Sequence, residues 1–295
     1  METPKVERNP KIVYVTTKTG EKYAMPSHAS QQCYDDAVGF PFDQDDVIIA
    51  SYPKSGTTWT LNIVRLICGM EIKPGSIIES EFPFLESSTR KRLDEHKSTH
   101  KPAFYHTHIP CDHFELNEKT KYIWVLRNPK DVCVSFYHHT KLFSNLYEYD
   151  HGTFDHYFKL FASGKTDYDS YFGHVKKWSE HANDKNVLLL LYEDMKVDTR
   201  SAIKQIANFL GKTYAARVSN PVTMETIFEK CSFREMSQTM DQFSTVIKDG
   251  KCPVIRRGVV GDWRSLMTRE QAEIIDRMTT EHGLQHYWKN YEDIV

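Results

Sequence analysis

With 295 residues, 40% apolar and 13% aromatic side chains and a formal charge of −2, the chain can fill a large core and has no global attraction for nucleic acid or an anionic membrane. That composition excludes a disordered chain, and any anion site must be assembled locally from a few residues. No run approaches the roughly 18 apolar residues of a membrane helix, and Met1–Pro10 is charged where a signal peptide is apolar. A cytoplasmic protein is expected. Cys33, Cys68, Cys111, Cys133, Cys231 and Cys252 are scattered without a CxxC pair, so free thiols and no metal site are expected.

Lys11–Met25 reads as two short strands around Lys18-Thr19-Gly20, a hairpin at the sheet edge. Asp46–Tyr52 is a short apolar run ended by Pro53. After Gly56 the pattern changes, with Trp59, Ile63, Leu66 and Ile67 at helical spacing, so the order is strand, turn, helix. Tyr122–Leu126 is a second such run, followed by Arg127-Asn128-Pro129 and a helix over Lys130–Leu142, with Pro129 suited to its first turn. Asn186–Tyr192 is a third, leading through Glu193-Asp194 into a helix over Thr199–Leu210 that Gly211 closes. Runs apolar on both faces, each followed by a helix, predict an α/β fold of three layers, α/β/α, with a central, mainly parallel sheet. Further helices are predicted over Tyr168–Ala182 and Thr268–His282. Ser237–Gly258 has no clear period and fits a mobile loop over a site. No repeat or composition shift marks a linker, so residues 1–295 read as one domain.

Tyr52-Pro53-Lys54-Ser55-Gly56-Thr57-Thr58-Trp59 lies between a predicted strand and a predicted helix, where backbone N–H groups at a helix start can surround an anion. Gly56 permits close approach, Thr57 and Thr58 add hydroxyls, and Lys54 adds a point charge. A Walker A loop needs a lysine directly after its second glycine, and here the lysine precedes the glycine. Trp59 at the helix start could stack on a purine.

These residues resemble the 5'-phosphosulfate loop of the cytosolic sulfotransferases, and four further segments are similar to that family's in the same order. Phe104–Pro110 resembles the segment holding its catalytic histidine, and Val125–Ser135 its 3'-phosphate motif. Leu191–Met195 resembles its YEDM element, and Arg256–Trp263 its RKGxxGDW signature. The resemblance implies a P-loop, nucleotide-kinase-like fold and 3'-phosphoadenosine-5'-phosphosulfate (PAPS) as donor, with 3',5'-ADP as product and no metal. It implies that Lys54, Ser55, Gly56, Thr57, Thr58 and Trp59 hold the 5' end. Arg127, Ser135, Arg256, Arg257 and Gly258 would hold the 3'-phosphate, with Tyr192 and Phe233 beside the adenine. Two phosphate sites suit a nucleoside phosphorylated at both ends, and the guanidinium fork suits phosphate.

Within the resemblance His108 is the general base, since an imidazole can accept a proton near neutral pH, and Lys54 stabilises the leaving oxygen. The chain holds 14 histidines, so position alone selects His108. His106 stands where the family has a lysine, leaving that part of the stabilisation weaker, pH-dependent or supplied elsewhere. Cys231 stands where a threonine is usual, and His139 where many members have phenylalanine, which points to a more polar pocket. Phe84 matches a wall of the acceptor pocket, with Tyr147, Phe154 and Tyr168 as further candidates. The acceptor is a small phenol, alcohol, steroid or amine, with no nucleic-acid or membrane partner. The family's dimer motif survives only in altered form at Arg264–Glu273, so a homodimer built on it would lose an apolar contact. A nucleotide kinase, or a protein that binds nucleotide and apolar ligand without turnover, remain the competing readings.

Overall fold

Continuous apolar runs bounded by turn residues make three strands of a central sheet whose two faces are both covered. In the computed structural model, which describes residues 8–73, 76–239, 244–247, 250–253 and 255–291, strands β1 (Ile12–Thr16) and β2 (Lys22–Pro26) form an antiparallel hairpin. β3 (Val47–Ser51), β4 (Phe104–Thr107), β5 (Lys121–Leu126) and β6 (Val187–Leu191) form a parallel sheet in the order β4-β3-β5-β6. Alternate residues feed two cores. Ile48, Ala50, Tyr105, Tyr122, Trp124 and Leu126 face one, packed by the helices Pro129–Leu142, Phe154–Ala162, Tyr171–Ser179 and Arg269–Glu281. Val47, Ile49, Phe104, Ile123, Val125 and Leu190 face the other, packed by the helices Thr57–Cys68, Thr199–Leu210 and Pro221–Lys230. The three layers expected from the sequence are present, with predicted strand and helix bounds within a few residues of those observed.

Three features differ from expectation. The N-terminal hairpin is a sheet of its own rather than an edge of the central one. The loop after the helix Phe154–Ala162 occupies β2 instead, with the Tyr168 amide donating to the Ala24 carbonyl at 2.8 Å. β4 was not read as a strand, because its four residues include His106 and Thr107 and do not form an apolar run. The region Ser237–Gly258 contains the antiparallel ribbon β7 (Ser244–Ile247) and β8 (Gly250–Pro253) where an irregular loop was expected. Residues 240–243, 248–249 and 254 of that region lie outside the described residues.

Strand order places the change of direction between β3 and β5, so the crevice beyond the carboxyl ends of these strands is the natural ligand site. On the helix Thr199–Leu210, Ile203 is fully buried against the sheet. Ile203→Ala should therefore lower the unfolding free energy by about 2–5 kcal/mol, read from urea unfolding. A loss below about 1 kcal/mol would mean that this layer is loosely packed.

Candidate active site

The loop leaving β3 turns through two left-handed residues, Lys54 (φ 69°) and Gly56 (φ 111°), before the helix Thr57–Cys68 begins. Glycine is required at 56 for a second reason. A Cβ there would meet the Tyr192 ring at 2.8 Å. Thr57 Oγ1 lies 2.6 Å from Ser51 Oγ, while the buried Ser55 Oγ has no partner among the described residues. Lys54, Gly56, Thr57, Thr58 and Trp59 line a cleft of about 540 Å³ that runs from this loop past β4.

At one end of the cleft Arg127, the first residue after β5, is buried and lies 4.4 Å over the Tyr192 ring. It donates to the Lys54 carbonyl at 3.2 Å and, through Nη2, to the Val259 carbonyl at 3.0 Å and to Asp131 at 3.3 Å, while its Nε is buried without a partner among the described residues. Asp131 in turn accepts the backbone amides of Gly261 and Trp263, each at 2.9 Å. Thus Arg127 and Asp131 tie the segment 256–263 to the loop after β3. Arg256 and Arg257 both pair with Asp262, the latter at 2.7 Å, and these guanidinia hold its carboxyl below the ordinary value against the opposing effect of burial. Trp59 donates to the Cys231 carbonyl at 2.8 Å and meets Tyr192 edge-on, 5.5 Å between centroids. Phe233 is half exposed and packs on Gly258, where a Cβ would come within 2.9 Å of the ring. Ser135, on the helix Pro129–Leu142, also lines this end.

At the other end stands His108, just past β4. Its Nδ1 lies 2.7 Å from the Ser51 carbonyl. A carbonyl only accepts, so Nδ1 carries the proton and Nε2 keeps its lone pair. Burial brings this imidazole down to about 4, opposed by the Ser51 hydrogen bond and reinforced by the nearby Lys54 charge. Its backbone is fixed from two sides. Glu86 Oε1 accepts the amides of His108 and, at 3.0 Å, of Ile109, together with the Thr107 hydroxyl at 3.0 Å. His174 Nε2 donates to the His108 carbonyl at 3.1 Å.

Around His108 the cleft is walled by Phe84, His106, Phe136, His139, Phe143, Tyr147 and Tyr168. His106 is buried, donates through Nδ1 to the Phe82 carbonyl at 2.9 Å and stacks on Phe84 at 4.6 Å. Burial brings it down to about 3, so it carries no charge and adds no titration near neutrality. His139 Nδ1 lies 3.5 Å from Lys54 Nζ. Burial, then that ammonium, hold His139 well below the usual imidazole range.

The description "Sulfotransferase domain" matches residues 44–287. The chain belongs to the sulfotransferase family. A sulfotransferase 1C2 of Rattus norvegicus is 34% identical, over 81% of this chain and 83% of its own length. An amine sulfotransferase of Oryctolagus cuniculus is also 34% identical, with 82% of each chain covered. Among solved structures, a mouse sulfotransferase (SULT7A1) complexed with PAP superposes with a TM-score of 0.69 at 27% identity, covering 93% of this chain and 94% of that one.

Within this sulfotransferase the residues singled out from the sequence, Ser55 and Phe154 aside, line one cleft. Phe154 belongs to the core behind the wall. His174 is buried beneath His108. Sequence reasoning missed Ser51, Glu86 and His174 as supports of His108, although Glu86 lies two residues from Phe84, which it had singled out. Among the described residues no group of three or more His, Cys, Asp and Glu could hold a metal, and no helix is long and apolar enough to cross a membrane. Cys33, Cys68, Cys111, Cys133 and Cys231 are free. Burial pushes Cys68 and Cys111 up to about 12 and Cys231 up to about 11, far from a reactive thiolate.

Glu86 is fully buried with Oε2 unpartnered among the described residues. Desolvation outweighs its three donors and pushes it from 4.5 up to about 8. Between those values the folded protein keeps a proton that the unfolded chain releases, so Glu86 lowers stability as pH rises through that window. Glu86→Gln keeps an acceptor for the three donors and cannot ionise. The urea midpoint of E86Q, relative to wild type, should climb from about pH 5 to about pH 8. Parallel midpoints across that range would show that Glu86 does not titrate there.

Proposed function

We propose that this sulfotransferase moves the sulfuryl group of PAPS onto the hydroxyl or amine of a small, mostly apolar acceptor, with His108 as general base. The observation that carries the reading is the His108–Ser51 hydrogen bond, which leaves Nε2 unprotonated in an apolar cleft beside Lys54. Residues 54–59 would receive the 5' end of the donor, and Arg127, Ser135, Arg256, Arg257 and Gly258 its 3'-phosphate, with Tyr192 and Phe233 beside the base. The unpartnered Ser55 hydroxyl and Arg127 Nε, and the two glycines that leave no room for a Cβ, fit such a ligand.

PAPS supplies the sulfuryl group on a phosphate leaving group. Nε2 of His108 takes the acceptor's proton as the acceptor oxygen bonds to sulfur. The bond from sulfur to the bridging phosphate oxygen breaks, and its electron pair stays on that oxygen, which Lys54 stabilises. His106 supplies no charge here, so Lys54 carries this electrostatic role. Neutral His106 also favours a second reading, nucleotide binding without turnover.

Incubation with PAPS and a panel of phenols, alcohols, steroids and amines, read by product mass, tests the activity. Sulfated product excludes the second reading. No product from any class, with 3',5'-ADP still bound, would overturn transfer. His108→Ala should lower kcat by a factor on the order of 10² to 10⁴ and leave 3',5'-ADP affinity unchanged. Retained turnover would remove His108 as the base. Because the folded protein holds His108 near 4, the acid limb of kcat/KM for PAPS should fall below pH ~6.5. Arg127→Ala should weaken 3',5'-ADP binding by about 2–3 kcal/mol, read by calorimetry; an effect on acceptor affinity alone would move Arg127 out of the nucleotide site.

A further inference from the structure

One acidic side chain of the cleft has no part in the chemistry above. Asp167 is 3% exposed and lines the cavity together with His108, His139, Tyr147 and Tyr168. Its Oδ2 accepts the Tyr147 hydroxyl at 2.7 Å. Among the described residues no lysine, arginine or histidine pairs with it, and burial pushes it up to about 7. Other buried aspartates of this chain are compensated. Asp131 has Arg127 and two backbone amides, and Asp46 accepts the amides of Asp43 and Ala103. A carboxylate buried away from any cation is costly, and it either takes up a proton or gains a cationic partner.

The backbone is strained to put it there. Tyr168 (φ 64°) and Asp169 (φ 53°) both adopt the left-handed region, which side chains other than glycine rarely occupy. The Tyr52 hydroxyl donates to the Asp169 carbonyl at 3.0 Å, and the Tyr168 amide is held by Ala24. The clamped turn sets Asp167 and Tyr168 side by side on the wall, with the Tyr168 ring 5.3 Å from that of His108. The neighbouring wall is aromatic, from Phe136, Phe143 and Tyr147, and ring faces attract cations. The histidines beside it, His108 and His139, are both held neutral by burial, so they do not repel one.

We propose that Asp167 is an ammonium subsite, and that the acceptor is a phenol or alcohol carrying a protonated amine, the amine seated on Asp167 and the hydroxyl presented to His108. The hydroxyl end of this proposal rests on the transfer reading above, whereas the cationic end rests on Asp167. The residue acts in specificity, and its neighbour Tyr147 orients the carboxyl through its hydroxyl.

The test is calorimetric titration of the protein saturated with 3',5'-ADP, using tyramine and 4-propylphenol, which match in size and differ in charge. Wild type should bind tyramine at least about 10-fold more tightly. Asp167→Asn, which keeps an oxygen for Tyr147, should abolish that preference while 4-propylphenol affinity stays within about 3-fold. Equal or weaker binding of tyramine by wild type overturns the proposal, and needs no variant. A loss shared equally by both probes in D167N also overturns it, since that is what a purely structural carboxyl would give. Product mass after addition of PAPS separates the two readings. Preferential tyramine binding without sulfated tyramine supports the subsite and counts against transfer. Sulfation of both phenols without a tyramine preference keeps transfer and removes the subsite.

Discussion

The reacting end of the cleft depends on what the last residue of β3 can hold. Ser51 is fully buried, and its hydroxyl contacts Thr57 at the start of the following helix while its carbonyl accepts the His108 proton. Parallel register makes this geometry available. Ala50 pairs with Thr107 and Ser51 with Val125, so the anion loop, His108 and Arg127 all leave the sheet at one level. A single peptide unit thereby sets both where the imidazole lies and which of its nitrogens is open. Shifting β4 by one residue would bring Thr107 or Ile109 to that level in place of His108 and separate the imidazole from the loop.

The proposed transfer makes two opposite electrostatic demands of one cavity. The imidazoles would have to stay neutral, and Lys54 charged. Desolvation serves the first, because burial disfavours the protonated ring, and the Lys54 ammonium reinforces it at His108 and His139. Lys54 is placed for this by a left-handed backbone that a non-glycine residue adopts at a cost of about 1–3 kcal/mol. His106 belongs to the first class. Tied to the Phe82 carbonyl and stacked on Phe84, it has become part of the wall.

The layers of the fold were legible because β3, β5 and β6 are unbroken apolar runs leading into helices, a pattern that follows from burial on both faces. β4 was not, since half of its side chains are polar and its strand character comes from pairing with β3. The anion loop could be seen from Lys54 to Trp59 as a local arrangement, and the assignment of roles to Arg127, Arg256 and His108 came from resemblance. What the sequence hid were long-range partnerships. Glu86 meets His108 across 22 positions and His174 meets it across 66, and no periodicity marks a carboxylate or an imidazole that will be folded under a loop. Asp167 was hidden for the same reason, as its turn is aimed by contacts with β2 and Tyr52.

The pairing of Arg256 and Arg257 with Asp262 has a consequence for selectivity in the proposed reaction. Both guanidinia share one carboxylate, and each has five N–H donors, so contact with Asp262 leaves others directed elsewhere. Under the proposed reaction Asp262 would aim the two forks at the 3'-phosphate while offsetting part of their charge. Orientation, more than raw charge, would then separate a nucleotide phosphorylated at both ends from one phosphorylated at one, because only the former is also held by the loop after β3.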